Sequence, residues 1–158
     1  MTSLLVERVE SEQALSALEP DWSRLEVTTG NGLPFRTFAW NACWWKHLRE
    51  DGLRLKDSLA VRAVRTADGK IVGIAPLMLT QRPGAGPVRV RLLQFMGADP
   101  NITEVRGALC DPSHEAACYE AVLADIASTT PDIADCSRIL LSSWTTVTLS
   151  KSMPARRQ

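Results

Sequence analysis

The chain has 158 residues, 45% of them apolar and 23% charged, with eighteen basic side chains against eighteen acidic ones. This is enough for one hydrophobic core and excludes a disordered or fibrous chain. With no net charge there is no broad positive field for nucleic acid or an anionic membrane surface. Met1 to Glu10 carries Glu7 and Glu10 where a secretory leader needs an apolar stretch. No uncharged run approaches the roughly 20 residues of a membrane span, so a cytoplasmic protein without a membrane partner is expected. Cys43, Cys110, Cys118 and Cys136 form no C-x-x-C pair, which predicts reduced, mostly buried thiols.

In chain order, Leu4 to Val9 predicts a first strand, and Ser11 caps a helix whose first turn holds Glu12 and Gln13. Leu15, Leu18, Trp22 and Leu25 share a helical face, while Pro20 breaks the run and opens a second helix. Gly30, Asn31 and Gly32 end that segment. Thr37 caps the next helix, which is expected to run to about Glu50 and stop at Asp51-Gly52. Its apolar stripe is Trp40, Cys43, Trp44, His47 and Leu48, which buries Trp40 and Trp44 and leaves Trp45 to contact a substrate or partner.

From Ser58 the period becomes two. Segments 59–66 and 70–79 flank Asp68-Gly69, which predicts a hairpin with a type I′ turn. Val88 to Leu92 predicts the third strand of an antiparallel meander. A polar stretch from Gly97 to Gly107 follows. Asp111 or Ser113 then caps a helix with Pro112 in its first turn and Cys118, Ala121, Val122 and Ile126 on one face. A short strand at 138–141 returns to the sheet, and residues 145–158 are a frayed tail. The fold class is therefore α+β, a mainly antiparallel sheet flanked by helices.

Four ordered segments resemble the GNAT acyltransferases of the CelD-like, cellulose-biosynthesis type. They are Asp21-Trp22 with Leu25, the run from Pro34-Phe35 through Trp44-Trp45 to Leu48, Gly69 to Leu79 with its Gly-Ile-Ala-Pro-Leu core, and Leu92 to Gly97 followed by Asp99. The resemblance implies a GNAT-like N-terminal half-domain over residues 1–144, lacking a second half that carries the acyl-CoA pocket. It also implies an N-acetyltransferase that passes an acyl group from acetyl-CoA or another acyl-CoA to an amine on a small molecule or surface-polymer precursor. A second GNAT-like half or a homodimer is the implied partner. A non-catalytic module for folding, substrate selection or dimerisation is the alternative.

Amine attack on a thioester requires a neutral amine. An amine of pKa about 10 loses its proton near pH 7 at a cost of roughly 4 kcal/mol, so a nearby base helps. Glu104 is the candidate base, set beside Asp99, Asn101 and Arg106 in a polar stretch that also suits substrate contacts; a solvated loop with a Glu104–Arg106 pair is the plainer reading. Gln81, Arg82, Gly84 and Gly86 fit the Q/R-x-x-G-x-G pattern that cradles pyrophosphate at a helix N-terminus. Pro83 and the following strand pattern favour a hairpin loop instead. His47 and His114 lack partners at metal-ligand spacing, and no metal is expected.

Overall fold

The computed structural model describes residues 4–30, 33–84, 89–97 and 106–129. Strand β1 (Leu5–Val9) leads into helices α1 (Glu12–Ala17) and α2 (Glu19–Thr29). A 3-10 turn at Pro34–Arg36 then precedes α3 (Phe38–Leu48). Strands β2 (Lys56–Leu59), β3 (Val61–Arg65), β4 (Ile71–Ala75), β5 (Leu77–Pro83), β6 (Arg89–Phe95) and β7 (Leu109–Cys110) follow, and α4 (Glu115–Thr129) completes the described chain. The α+β class is as the sequence predicts. The strand at 138–141, the tail and Cys136 lie outside the described residues.

Local chemistry sets the first boundaries. Ser11 Oγ accepts a hydrogen bond from Ala14 N, satisfying one of the amides at the start of α1. Pro20 lies in the first turn of α2, where its missing N–H costs nothing, and Gly30 closes that helix at φ +59°. Thr37 Oγ1 accepts from Trp40 N to start α3. That helix ends earlier than expected, at Leu48, because Arg49 is already extended (ψ 144°).

All strand pairings are antiparallel, but the expected single meander is divided between two sheets, β1-β3-β4-β7 and β2-β5-β6. The chain crosses from one sheet to the other at Ala60 and again at Pro76. Proline has no N–H for a ladder, so a break at Pro76 is cheap. Two hydrogen bonds tie the crossing points, Ala60 N to Leu77 O at 3.0 Å and Met96 N to Pro76 O at 2.8 Å. The β3–β4 turn also differs from the expected type I′. Ala67 and Asp68 occupy its centre, Gly69 N donates to Thr66 O at 2.9 Å, and Gly69 takes φ +88°, beside a register shift at Val64/Arg65. This is the longer hairpin loop in which glycine takes up the left-handed position.

The sheets separate two helical layers. Leu15, Leu18, Trp22 and Leu25 from α1 and α2, with Trp44 and Trp45 from α3, pack on the face formed by Val9, Val61, Ala63, Ile74 and Met78. On the other face, Cys118, Val122 and Ile126 of α4 pack on Val64, Val72 and Leu77. The predicted faces of α1, α2 and α4 are therefore the observed ones. Pro112 precedes α4 instead of lying in its first turn, within a turn where Asp111 Oδ1 accepts from Ser113 N and Oγ.

The face of α3 is rotated from the predicted stripe. Asn41, Trp44 and Trp45 are buried, whereas Cys43, His47 and Leu48 are exposed. Asn41 can turn inward because its Nδ2 donates to Phe35 O (3.2 Å) and Thr37 O (2.8 Å), removing the cost of a buried amide. Arg62, on β3, is also buried. Its Nε meets Asp125 Oδ2 at 2.7 Å, while Arg8 Nη2 meets Asp125 Oδ1 at 2.7 Å, so one carboxylate of α4 clamps β1 and β3 together.

Candidate functional site

Helix α4 lies over β1, β3 and β4 and reaches β5 and β6 only at their margin. Where the second sheet diverges after Pro76, a cleft opens between Tyr119 and Val122 of α4 and Leu77, Leu93 and Phe95 of the sheet. The cleft is shallow and open on one side; its empty volume of about 580 Å³ includes the adjoining solvent, and the space enclosed by its walls is far smaller. Cys110 and Cys118 also border it. Among the described residues the walls are almost entirely hydrocarbon and sulfur, which suits an apolar group and offers few orienting hydrogen bonds.

The cleft's position depends on a close approach of α4 to β4. Gly73 lies beneath the helix, where a Cβ would stand 2.8 Å from Cys118 Sγ and 3.4 Å from Cys110 Sγ. Cys118 Sγ points at Val72 O from 3.6 Å. A hydrogen bond with Cys118, reinforced by burial, pushes Cys110 above the usual thiol range, so it remains a neutral thiol at pH 7. Burial, with Cys110 beside it, likewise raises the pKa of Tyr119 and keeps its phenol protonated. Tyr119 is the sole tyrosine of the chain and the main hydrogen-bonding side chain on the cleft wall.

A second polar group lies on the opposite face of the β2-β5-β6 sheet. Thr80 Oγ1 donates to Asp57 Oδ1 at 2.6 Å and accepts from Gln94 Nε2 at 2.9 Å. Asp57 Oδ2 accepts from Glu50 N at 2.9 Å, and Asp57 N donates to Glu50 O at 2.8 Å. These bonds fasten the end of the α3–β2 loop to the sheet. The Gln94 side chain therefore turns away from the cleft that its strand borders.

Three positions of the predicted pyrophosphate loop lie in a strand. Gln81, Arg82 and Pro83 belong to β5, paired with Arg91, Val90 and Arg89 of β6, and the next described element after them is that strand. Gly84 comes directly after β5, and Gly86 lies outside the described residues. Trp45, expected at the surface, is only 6% exposed; its Nε1 donates to Glu12 Oε1 at 3.3 Å and the Arg49 guanidinium lies 5.2 Å over its ring. Arg106 is half-buried on the approach to β7. Glu104, Asp99 and Asn101 lie outside the described residues.

Sequence reasoning missed β7 and the cleft itself. Tyr119, beside Cys118 on a patterned helix, was the available signal for the latter. Among the described residues no group of three or more His, Cys, Asp or Glu side chains gathers as a metal site, and no helix is long and apolar enough to cross a membrane. No family model matches this chain, and neither a curated protein nor a solved structure does.

Proposed function

We propose that the chain is a GNAT-type acyltransferase half-domain that passes an acyl group from acyl-CoA to an amine, its own cleft holding the acyl end and a second half or a second copy completing the CoA site. The observation that carries this reading is the apolar cleft between α4 and the diverging second sheet, whose walls suit an acyl or thioester-bearing chain. In the reaction the amine lone pair forms a bond to the thioester carbonyl carbon, the C–S bond breaks, and the CoA sulfur leaves and takes a proton. The ammonium proton passes to a base, the role proposed for Glu104. Tyr119, kept neutral by burial, is suited to donate a hydrogen bond to the departing sulfur or the carbonyl oxygen.

A non-catalytic acyl-binding module is the second reading, favoured by the strand position of Gln81–Pro83, which provides no helix N-terminus for a pyrophosphate. Calorimetric titration of the purified chain with acetyl-CoA tests the first reading; saturable heat is expected, and its absence removes acyl transfer by this chain. Where binding occurs, turnover of acetyl-CoA with an amine mixture separates enzyme from module, and Glu104→Gln lowers that turnover by about a hundredfold if Glu104 is the base.

A further inference from the structure

The face of β2-β5-β6 that borders the cleft is chemically graded along its length. Directly opposed residues of antiparallel strands share a face, so the registers define its rows. Leu77 and Phe95 form the row at the cleft, and Ser58, Leu79 and Leu93 form the next. Lys56, Gln81 and Arg91 then make a polar row, with Arg89 opposite Pro83 beyond it. At about 3.4 Å per residue, the Arg91 row lies about 14 Å along the strand from Phe95 and the Arg89 row about 20 Å. Leu79, Leu93 and Phe95 are only half-buried, while Lys56, Arg89 and Arg91 are exposed.

Among the described residues no acid neutralises the cations at the polar end. In a chain of zero net charge, Lys56, Arg89 and Arg91 have no ion pair with a described residue, and Arg89 Nη2 donates to Leu53 O at 3.4 Å. The described acids of this region are Asp57, whose carboxylate is bonded on the opposite face, and the exposed Glu50 and Asp51 in the loop before β2. Three cations at one end of a strip whose other end is hydrocarbon complement a molecule with an anionic head and an apolar tail. Guanidinium forks beside an ammonium favour a phosphate as that head.

We propose that this sheet face binds a monomeric phosphate-headed amphiphile, its phosphate held by Lys56, Arg89 and Arg91 and its alkyl or acyl chain lying over Leu79 and Leu93 toward the cleft under α4. A monomer fits better than a bilayer, because the chain must leave other lipids to lie along the strands and enter the cleft. The site is independent of acyl transfer, since a carrier of such molecules needs the same strip.

Calorimetry of the full chain with monododecyl phosphate below its micellar concentration tests the proposal. Dodecanol, inorganic phosphate and phosphatidylglycerol vesicles serve as comparisons. Saturable binding of one dodecyl phosphate is expected, about tenfold or more tighter than dodecanol or phosphate. Lys56→Gln with Arg91→Gln weakens it about tenfold. Arg82→Gln, at the same end but on the opposite face, changes it less than about twofold. All three positions are exposed, and circular dichroism verifies that the variants fold.

Equal affinity for dodecanol, an Arg82→Gln effect as large as that of Arg91→Gln, binding to vesicles alone, or no saturable heat would each overturn the assignment. Failure of acetyl-CoA to bind leaves it standing. Acetyl-CoA binding without dodecyl phosphate binding sinks this site and not the acyl-transfer reading.

Discussion

Gly73→Ala places one methyl group where α4 rests on β4. The new Cβ stands 2.8 Å from Cys118 Sγ, 3.2 Å from Cys118 Cβ and 3.4 Å from Cys110 Sγ. Cys118 is fully buried on a fifteen-residue helix, so its sulfur has no solvent to retreat into. Overpacking of this kind costs about 1–3 kcal/mol, against which alanine regains roughly 0.5 kcal/mol by restricting the unfolded chain. We expect a net loss of about 1.5 kcal/mol, or a melting temperature lower by about 3–6 °C in a chain of this size. Urea unfolding measures it, with the slope unchanged and the midpoint lowered. Cys118→Ala removes the closest contact, so the double variant should be more stable than the sum of the single effects by about 1 kcal/mol or more. Strictly additive effects, or a Gly73→Ala protein within about 0.5 kcal/mol of wild type, would refute the close approach.

Asp125→Asn should destabilise the fold by about 3 kcal/mol at pH 7, because it leaves Arg62, whose side chain is 6% exposed, without its buried counter-charge. Burial alone raises the Asp125 pKa, but the hydrogen bonds from Arg8 and Arg62 outweigh it and hold the carboxyl below its ordinary value. Its contribution is therefore complete above the unfolded pKa of about 3.9 and is lost as pH falls through the lower folded value. Wild type and Asp125→Asn should converge in stability at that acid end, and a constant gap down to the lowest measurable pH would contradict the clamp. Thr80→Val should cost about 1–3 kcal/mol in urea unfolding, since Asp57 loses a buried donor and Gln94 an acceptor; a neutral effect would show the network to be loose. Trp45→Ala should cost about 3–5 kcal/mol and Trp45→Phe far less, whereas a loss below about 1 kcal/mol for alanine would return Trp45 to the surface.

Features governed by neighbours a few residues away were legible in the sequence. Ser11 and Thr37 cap the helices they were expected to cap, Pro20 separates α1 from α2, and the 3.6-residue period located the buried faces of α1, α2 and α4. The α3 face was misread because hydrophobicity ranks Cys43 above Asn41, while burial of Asn41 depends on two carbonyls of the preceding turn that no periodicity reveals. Strand β7 is two residues long and owes its existence to pairing with β4, so it had no local pattern to find. The letters of Gln81 to Gly86 fitted a phosphate loop, but the alternation after Pro87 carried the better information about the hairpin. Of the cleft only Tyr119 on the patterned helix gave a local sign, because its walls come from β5, β6 and α4 and no one segment shows that the others will meet it.

The two crossings at Ala60 and Pro76 have a mechanical consequence. Each sheet takes one strand from each of the same two lengths of chain, 56–65 and 71–83, so neither sheet can move as a separate body. The angle between them is held by a proline with a fixed φ and by the bonds from Ala60 N to Leu77 O and from Met96 N to Pro76 O. Opening the cleft therefore strains the crossings at Ala60 and Pro76 and the paired strands that run out of them. A guest too wide for it must bend paired strands, and the resistance it meets is transmitted along β3 and β4 to the strands beneath α4.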